Sequence, residues 1–183
     1  MWRSRREVTT LGFVSSLNQG YLEDAMLRKS MLARPKEPAV QGTEIPIASV
    51  ATVYVTSEAM DHPIDHAFDN QYGPGGTRWV AQEPGEQAII VAFDTPQSIH
   101  QVTLEVEEQQ TSRTQELQLA ISTDGQTYRE LRRQEYTFSP KGATFEREEW
   151  TLQEEDVTHL RLWIKPDKGD KACHASLTSL ALR

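Results

Sequence analysis

Ile99-His100-Gln101-Val102-Thr103-Leu104-Glu105-Val106 sets apolar side chains at alternate positions from Val102 onward. That period of two belongs to a strand with one face turned toward a core. The pattern recurs downstream in Leu117, Leu119 and Ile121, then in Leu160, Leu162 and Ile164, and less regularly in Leu177, Leu180 and Leu182. Working outward, strand-like runs are expected at 47–56, 87–93, 99–106, 116–122, 128–138, 145–152, 159–164 and 176–182. Turn residues separate these runs and no long helical period interrupts them, so the expected fold is an all-β antiparallel sandwich of eight strands. Thr123-Asp124-Gly125-Gln126 gives the firmest local expectation, an Asp-Gly turn closing a hairpin between 119–122 and 128–131.

The first segment differs in composition. Residues 1–35 carry six Lys and Arg against three acids, leaving 13 against 24 for the remainder of a chain whose net charge is −8. A chain so acidic offers no concentrated basic surface for a phosphate backbone, and nucleic acid is not an expected partner. From Asn18 a short helix is expected, with Asn as its N-cap, Glu23 and Asp24 early, Arg28, Lys29 and Arg34 late, and Pro35 as its stop. Its apolar face, Leu22, Ala25, Met26, Leu32 and Ala33, has to be buried on its own domain, on a partner or on a second copy of the chain. A linker follows, which divides the chain into an extension over 1–44 and a sandwich over 45–183. The basic start is followed only by Leu11-Gly12-Phe13-Val14, short of the roughly 7–15 apolar residues of a signal peptide. No run approaches the roughly 18 apolar residues of a transmembrane segment. A cytoplasmic protein is expected, and a lone Cys173, which has no internal disulfide partner, agrees.

The order of pieces resembles the discoidin family, the coagulation factor V/VIII type C domains, with their bacterial sugar-binding relatives. The residues that carry this are Ala48-Ser49, Thr56-Ser57, Ala67-Phe68-Asp69 followed by Thr77-Arg78-Trp79, and Ile89-Ile90-Val91-Ala92-Phe93-Asp94. They continue through Ile99–Leu104, Ile121-Ser122-Thr123-Asp124-Gly125-Gln126-Thr127-Tyr128 and His159-Leu160-Arg161-Leu162-Trp163-Ile164. The resemblance spans about residues 45–183. It implies a galactose-binding-like jelly roll whose loops at one end take a glycan, a phospholipid head group or a protein.

The loop from Ser57 to Trp79 therefore holds the candidate site. His62, His66, Tyr72 and Arg78 are polar or aromatic side chains that suit sugar hydroxyls and ring faces, on the kind of loop where a sandwich carries function. The resemblance also implies a structural calcium held by Asp69 and Thr77. This chain departs from that pattern with Asn70 in place of a glycine and with no glutamate in Thr178-Ser179-Leu180-Ala181. The alternative for Asp69 is a turn cap that accepts backbone N–H groups. His62 and His66 stand four apart, but Pro63 opposes helical geometry at His62, and a zinc site needs a further ligand such as Cys173 or His174. Trp79 is expected to plug the core at the loop base.

Catalytic signatures are missing: no Gly-x-Ser-x-Gly, no phosphate-cradling Gly-x-x-x-x-Gly-Lys and no His-Glu-x-x-His. Adjacent acids such as Glu148-Glu149 lie on a strand and point to opposite faces, so they do not converge on one bond. The expectation is a noncatalytic module that recognises carbohydrate through its loops. The alternative is an intracellular protein-interaction or assembly subunit that uses the sandwich as scaffold and the N-terminal helix as tether.

Overall fold

A computed structural model describes residues 42–169 and 172–183. The expected helix after Asn18 lies outside the described residues. The elements run α1 (Ile47–Val50), β1 (Ala51–Val55), a 3-10 turn (Ile64–Ala67), β2 (Trp79–Pro84), β3 (Gln87–Glu107), β4 (Arg113–Ser122), β5 (Arg129–Phe138), β6 (Phe145–Lys165), β7 (His174–Leu177) and β8 (Ser179–Leu182). All strand pairings are antiparallel, in the order β1-β3-β6-β4-β5, with β8 added to β3 and with β2 and β7 forming a separate pair.

The two longest strands build the sandwich. Near their first and last thirds β3 and β6 pair in regular register, Ile89 opposite Leu162 and Leu104 opposite Glu148, while the register shifts repeatedly between Ala92 and Gln101. Bulges of this kind bend and twist a strand, so a single pair of strands turns the corner and serves both layers. The first layer adds β1, β4 and β5; the second adds β8 opposite Val102–Glu105. Asp94-Thr95-Pro96 therefore reads as a break in the sequence, yet the strand continues through it, with proline at the irregular stretch where a ladder donor is not needed.

Between the layers lie Ile89, Val91, Leu117, Leu119, Leu160, Leu162 and Ile164 from one side and Val102, Leu104, Val106, Leu180 and Leu182 from the other, in one continuous cluster. Trp79 belongs to it, fully buried, with its indole N–H donating to the Ser57 carbonyl at 3.2 Å. The alternating residues are thus the inward ones. The partners between them in β3 are less conventional, because Gln101, Thr103, Glu105 and Glu107 are also buried. A strand buried on both faces with glutamates on one of them demands a covering layer of hydrogen-bond donors.

The strand count agrees with expectation while its partition differs. The 87–93 and 99–106 runs join into β3, the 145–152 and 159–164 runs join into β6, and the 176–182 run divides into β7 and β8. Strand β2 was not expected, since Trp79-Val80-Ala81-Gln82-Glu83-Pro84 is short, half polar and ends in proline. Residues 47–50 form a single helical turn rather than the start of the first strand, with the Ser49 N–H donating to the Pro46 carbonyl and Ile47 buried. One turn is short enough for tertiary anchoring to override the β preference of Ile and Val.

Candidate functional site

The loop from Ser57 to Arg78 is tied down along its length. The Ala59 N–H donates to the Val80 carbonyl at 2.8 Å and the Val80 N–H to the His62 carbonyl at 3.1 Å, pinning the loop's first half to β2. Glu58 caps the 3-10 turn by accepting the Ile64 N–H at 2.8 Å. The loop's second half, with Asn70 at φ 62°, Gly73 at 88° and Gly75 at 82°, passes repeatedly through left-handed backbone. Its amides reach β3: the Gly73 N–H donates to Glu105 at 2.7 Å and the Gly75 N–H to Glu107 at 3.0–3.1 Å. Arg147 completes the arrangement from β6 with a 2.7 Å bond to Glu105. The buried glutamates of β3 are thus the acceptors that hold the glycine-rich loop, and the loop is part of the covering layer that they require.

Asp69 accepts the Gln71 N–H at 2.9 Å on one carboxylate oxygen and the Thr77 hydroxyl at 2.5 Å on the other. Thr77 therefore points a proton, not a lone pair, at the carboxylate. Calcium takes six to eight oxygens. Asp69 and Thr77 contribute one carboxylate and one hydroxyl, and β8 contains no acid. Further oxygens for such an ion would have to come from loop carbonyls. Among the described residues no three or more His, Cys, Asp and Glu side chains come together to hold a metal.

A cleft of about 500 Å³ opens where three loops meet: the Ser57–Arg78 loop, the 108–112 loop after β3 and the segment leading into β7. His62 and Arg78 from the first loop face Gln109, Gln110 and Thr111 from the second and His174 from the third. His66 stands behind them, its Nδ1 3.1 Å from the Arg78 carbonyl and its ring edge-on to that of His62 at 6.3 Å. Tyr72 is elsewhere. Its hydroxyl bonds to Glu44 at 3.0–3.1 Å, and it lines a separate groove of about 370 Å³ with Phe68, Asn70 and Leu180. Partial burial and the Glu44 carboxylate together raise its pKa. The structure thus brings two of the four expected contact residues to one cleft, sets His66 beneath them and places Tyr72 in a second groove.

Sequence reasoning did not put Gln109, Gln110 or Thr111 in the site, nor His174 in this role. They lie on loops far apart in the chain. The usable signal was the strand order: antiparallel runs ending at Val106 and resuming near Glu116 leave a short loop at one end of a sandwich. Under the cleft, Arg113 is a structural post. It donates to the His174 carbonyl at 2.6 Å and the Ser176 hydroxyl at 2.8 Å, with its Nε 3.0 Å from Glu108. Burial pulls its pKa below the usual value, and the Glu108 carboxylate opposes that.

The family model for the F5/8 type C domain matches residues 51–176, most of the chain. This chain belongs to that family. No curated protein matches it in sequence. Among solved structures, CBM32-3 from a family 31 glycoside hydrolase of Clostridium perfringens superposes with a TM-score of 0.55 at 15% identity, covering 76% of this chain and 93% of that one. The family 32 CBM of NanJ from C. perfringens, solved with galactose, gives 0.53 at 16% identity, covering 76% and 97%. CBM32-5 from C. perfringens, solved with GalNAc-β-1,3-galactose, gives 0.53 at 18% identity, covering 76% and 99%. At such identities the likeness is one of fold, and it makes this F5/8 type C domain a galactose-binding-like jelly roll.

Proposed function

We propose that this F5/8 type C domain recognises carbohydrate, without transforming it, in the cleft between the Ser57–Arg78 loop, the 108–112 loop and the start of β7. The observation that carries the reading is the chemistry of the cleft wall. Side-chain amides, a hydroxyl, imidazoles and a guanidinium from three loops converge on a space of about 500 Å³, within the range of small-ligand sites. Such groups match the donors and acceptors of sugar hydroxyls. The two carboxylates there, Glu107 and Glu108, accept backbone amides and face arginines, which favours binding over acid–base chemistry. The relatives solved with galactose and with GalNAc-β-1,3-galactose share the fold and so agree in kind.

A glycan array on the full chain tests this, with and without calcium. Binding to a restricted set of glycans is expected, unchanged by chelator. Thr111→Trp, at an exposed position on the rim, is expected to abolish that binding while leaving the melting temperature in place. An array with no bound glycan overturns the reading. Binding that survives Thr111→Trp moves the site, with the Tyr72 groove next in line.

A further inference from the structure

The charged groups of the cleft are not equally available. Glu107 is 1% exposed at its side chain; it accepts the Gly75 N–H, and the Gln109 amide at 2.6 Å. Glu108 accepts the Gln110 and Thr111 N–H groups at 2.8 and 2.9 Å on one oxygen and faces Arg113 at 3.0 Å with the other. Arg113 is 2% exposed; its Nη1 and Nη2 are hydrogen-bonded, and its Nε lies 3.0 Å from Glu108 as an ion pair without a hydrogen bond. These three groups form the cleft's frame.

Arg78 is different. Its side chain is 31% exposed, and its contacts run through Nη1 alone, 3.3 Å from the Glu107 carbonyl and 3.9 Å from that carboxylate. Nη2 and Nε remain as donors. His62 is 40% exposed at the same cleft, with its Nε2 3.8 Å from the exposed Asp61 carboxylate. His174 has its Nδ1 2.9 Å from the Ala81 carbonyl, so that nitrogen carries the proton and Nε2 is the one left for a ligand. With its acids engaged, the cleft offers a guanidinium fork, two imidazoles, the Gln110 amide and the Thr111 hydroxyl. No Trp, Tyr or Phe lines it among the described residues, so ring stacking contributes little. The chain as a whole carries a net charge of −8, against which a partly exposed guanidinium with free donors is the more selective.

We infer that the ligand of this cleft is an acidic saccharide, a hexuronate whose carboxylate is received by Arg78 with His62 beside it. The inference rests on the carbohydrate reading and narrows it. A planar guanidinium with two free donors matches a carboxylate bidentately, and such charge-assisted pairs are roughly twice as strong as neutral ones.

Calorimetry at low salt on the full chain would compare tetragalacturonate, its methyl ester and a sulfated galactotetraose. The ester keeps every hydroxyl and loses the charge. The acid is expected to bind on the order of tenfold tighter than the ester, and to weaken as salt rises. Arg78→Gln should bring acid and ester to near parity with the fold retained and the melting temperature modestly lowered, because Arg78 also faces the buried Glu107, while Arg78→Lys keeps part of the difference. Equal affinity of acid and ester for the native chain overturns the inference, as does tighter binding of the sulfated sugar. If neutral glycans bind on the array and tetragalacturonate does not, the acidic assignment falls and the carbohydrate reading stands. If no glycan of any kind binds, both fall.

Discussion

Two turns in this molecule are held in opposite ways. At 122–127 the chain closes on itself: Asp124 accepts the Gln126 and Thr127 N–H groups at 2.8 Å each, Ser122 donates to Asp124 at 2.8 Å, and the Ser122 hydroxyl accepts the Gly125 N–H at 2.9 Å. All these partners lie within five residues, and a longer reach comes only onto the turn's first carbonyl, where the Thr158 hydroxyl donates to Ser122 at 3.1 Å. At 69–78 the local acceptors are Asp69 and Asn70, and the decisive ones, Glu105 and Glu107, come from β3, 32 residues further along. The first turn is a property of its own sequence. The second is a property of the fold, and it is the one that frames the cleft.

Glu107→Ala should break the second turn most severely. It removes the acceptor of the Gly75 N–H and of Gln109 and leaves Arg78 beside a hole. A loss of about 3 kcal/mol in chemical denaturation is expected, because the charge-assisted bonds that tie two loops to β3 are lost and a cavity replaces a buried side chain. Glycan binding should go with it, since Arg78 and the 108–112 loop are both anchored there. A loss confined to binding, with stability intact, would mean that the loop holds itself. Glu105→Gln is milder. The amide keeps the volume and one acceptor while losing the charged bonds to Gly73 and Arg147, and about 1.5–2 kcal/mol is expected. Arg147 is 46% exposed and partly screened, so the lower end of the range applies.

Gly75→Ala separates backbone strain from contact. A Cβ there meets nothing within 4 Å, but φ is 82°. About 1 kcal/mol of destabilisation is expected from the left-handed conformation alone. A larger value would show that the turn needs the glycine for something beyond its φ. At the self-contained turn the corresponding glycine works differently: a Cβ on Gly125 lies 2.7 Å from the His159 ring, so there the constraint is close approach as well as a φ of 74°.

This contrast explains what the sequence could tell. Alternation identified the inward faces of β3, β4 and β6, since burial on a sheet face is read two residues at a time. The Asp-Gly turn was legible for the same local reason. Joining 87–93 to 99–106 was not, because Asp94-Thr95-Pro96 has turn chemistry and only the β6 neighbour carries the ladder through it. Glu105 and Glu107 looked like the solvent face of an alternating strand; nothing local announces that a loop from 30 residues upstream will cover them. The cleft behaves likewise. His62 and Arg78 were visible as polar loop residues, while Gln109, Gln110 and His174 join them only through strand order. Tyr72, two residues from Asn70 and inside the same loop, turns to the other side because the left-handed residues reverse the chain.

Asp124→Asn is the smallest and cleanest perturbation. The Thr127 and Gln126 amides, with the Ser122 hydroxyl, hold the Asp124 carboxyl well below the usual carboxylate range. A folded-state value below the unfolded one, about 3.9 for Asp, stabilises the fold above that pH and is lost as pH falls through the folded value. The melting temperature of Asp124→Asn should therefore lie slightly below that of the native chain near neutrality and converge with it in acid. Asparagine keeps one acceptor oxygen and the same turn preference, so what the substitution removes is charge. A difference that persists in strong acid would assign the stabilisation to turn geometry instead. The turn would then owe its stability to backbone conformation, and the contrast with the carboxylate-held loop would narrow to where the acceptors come from rather than what they carry.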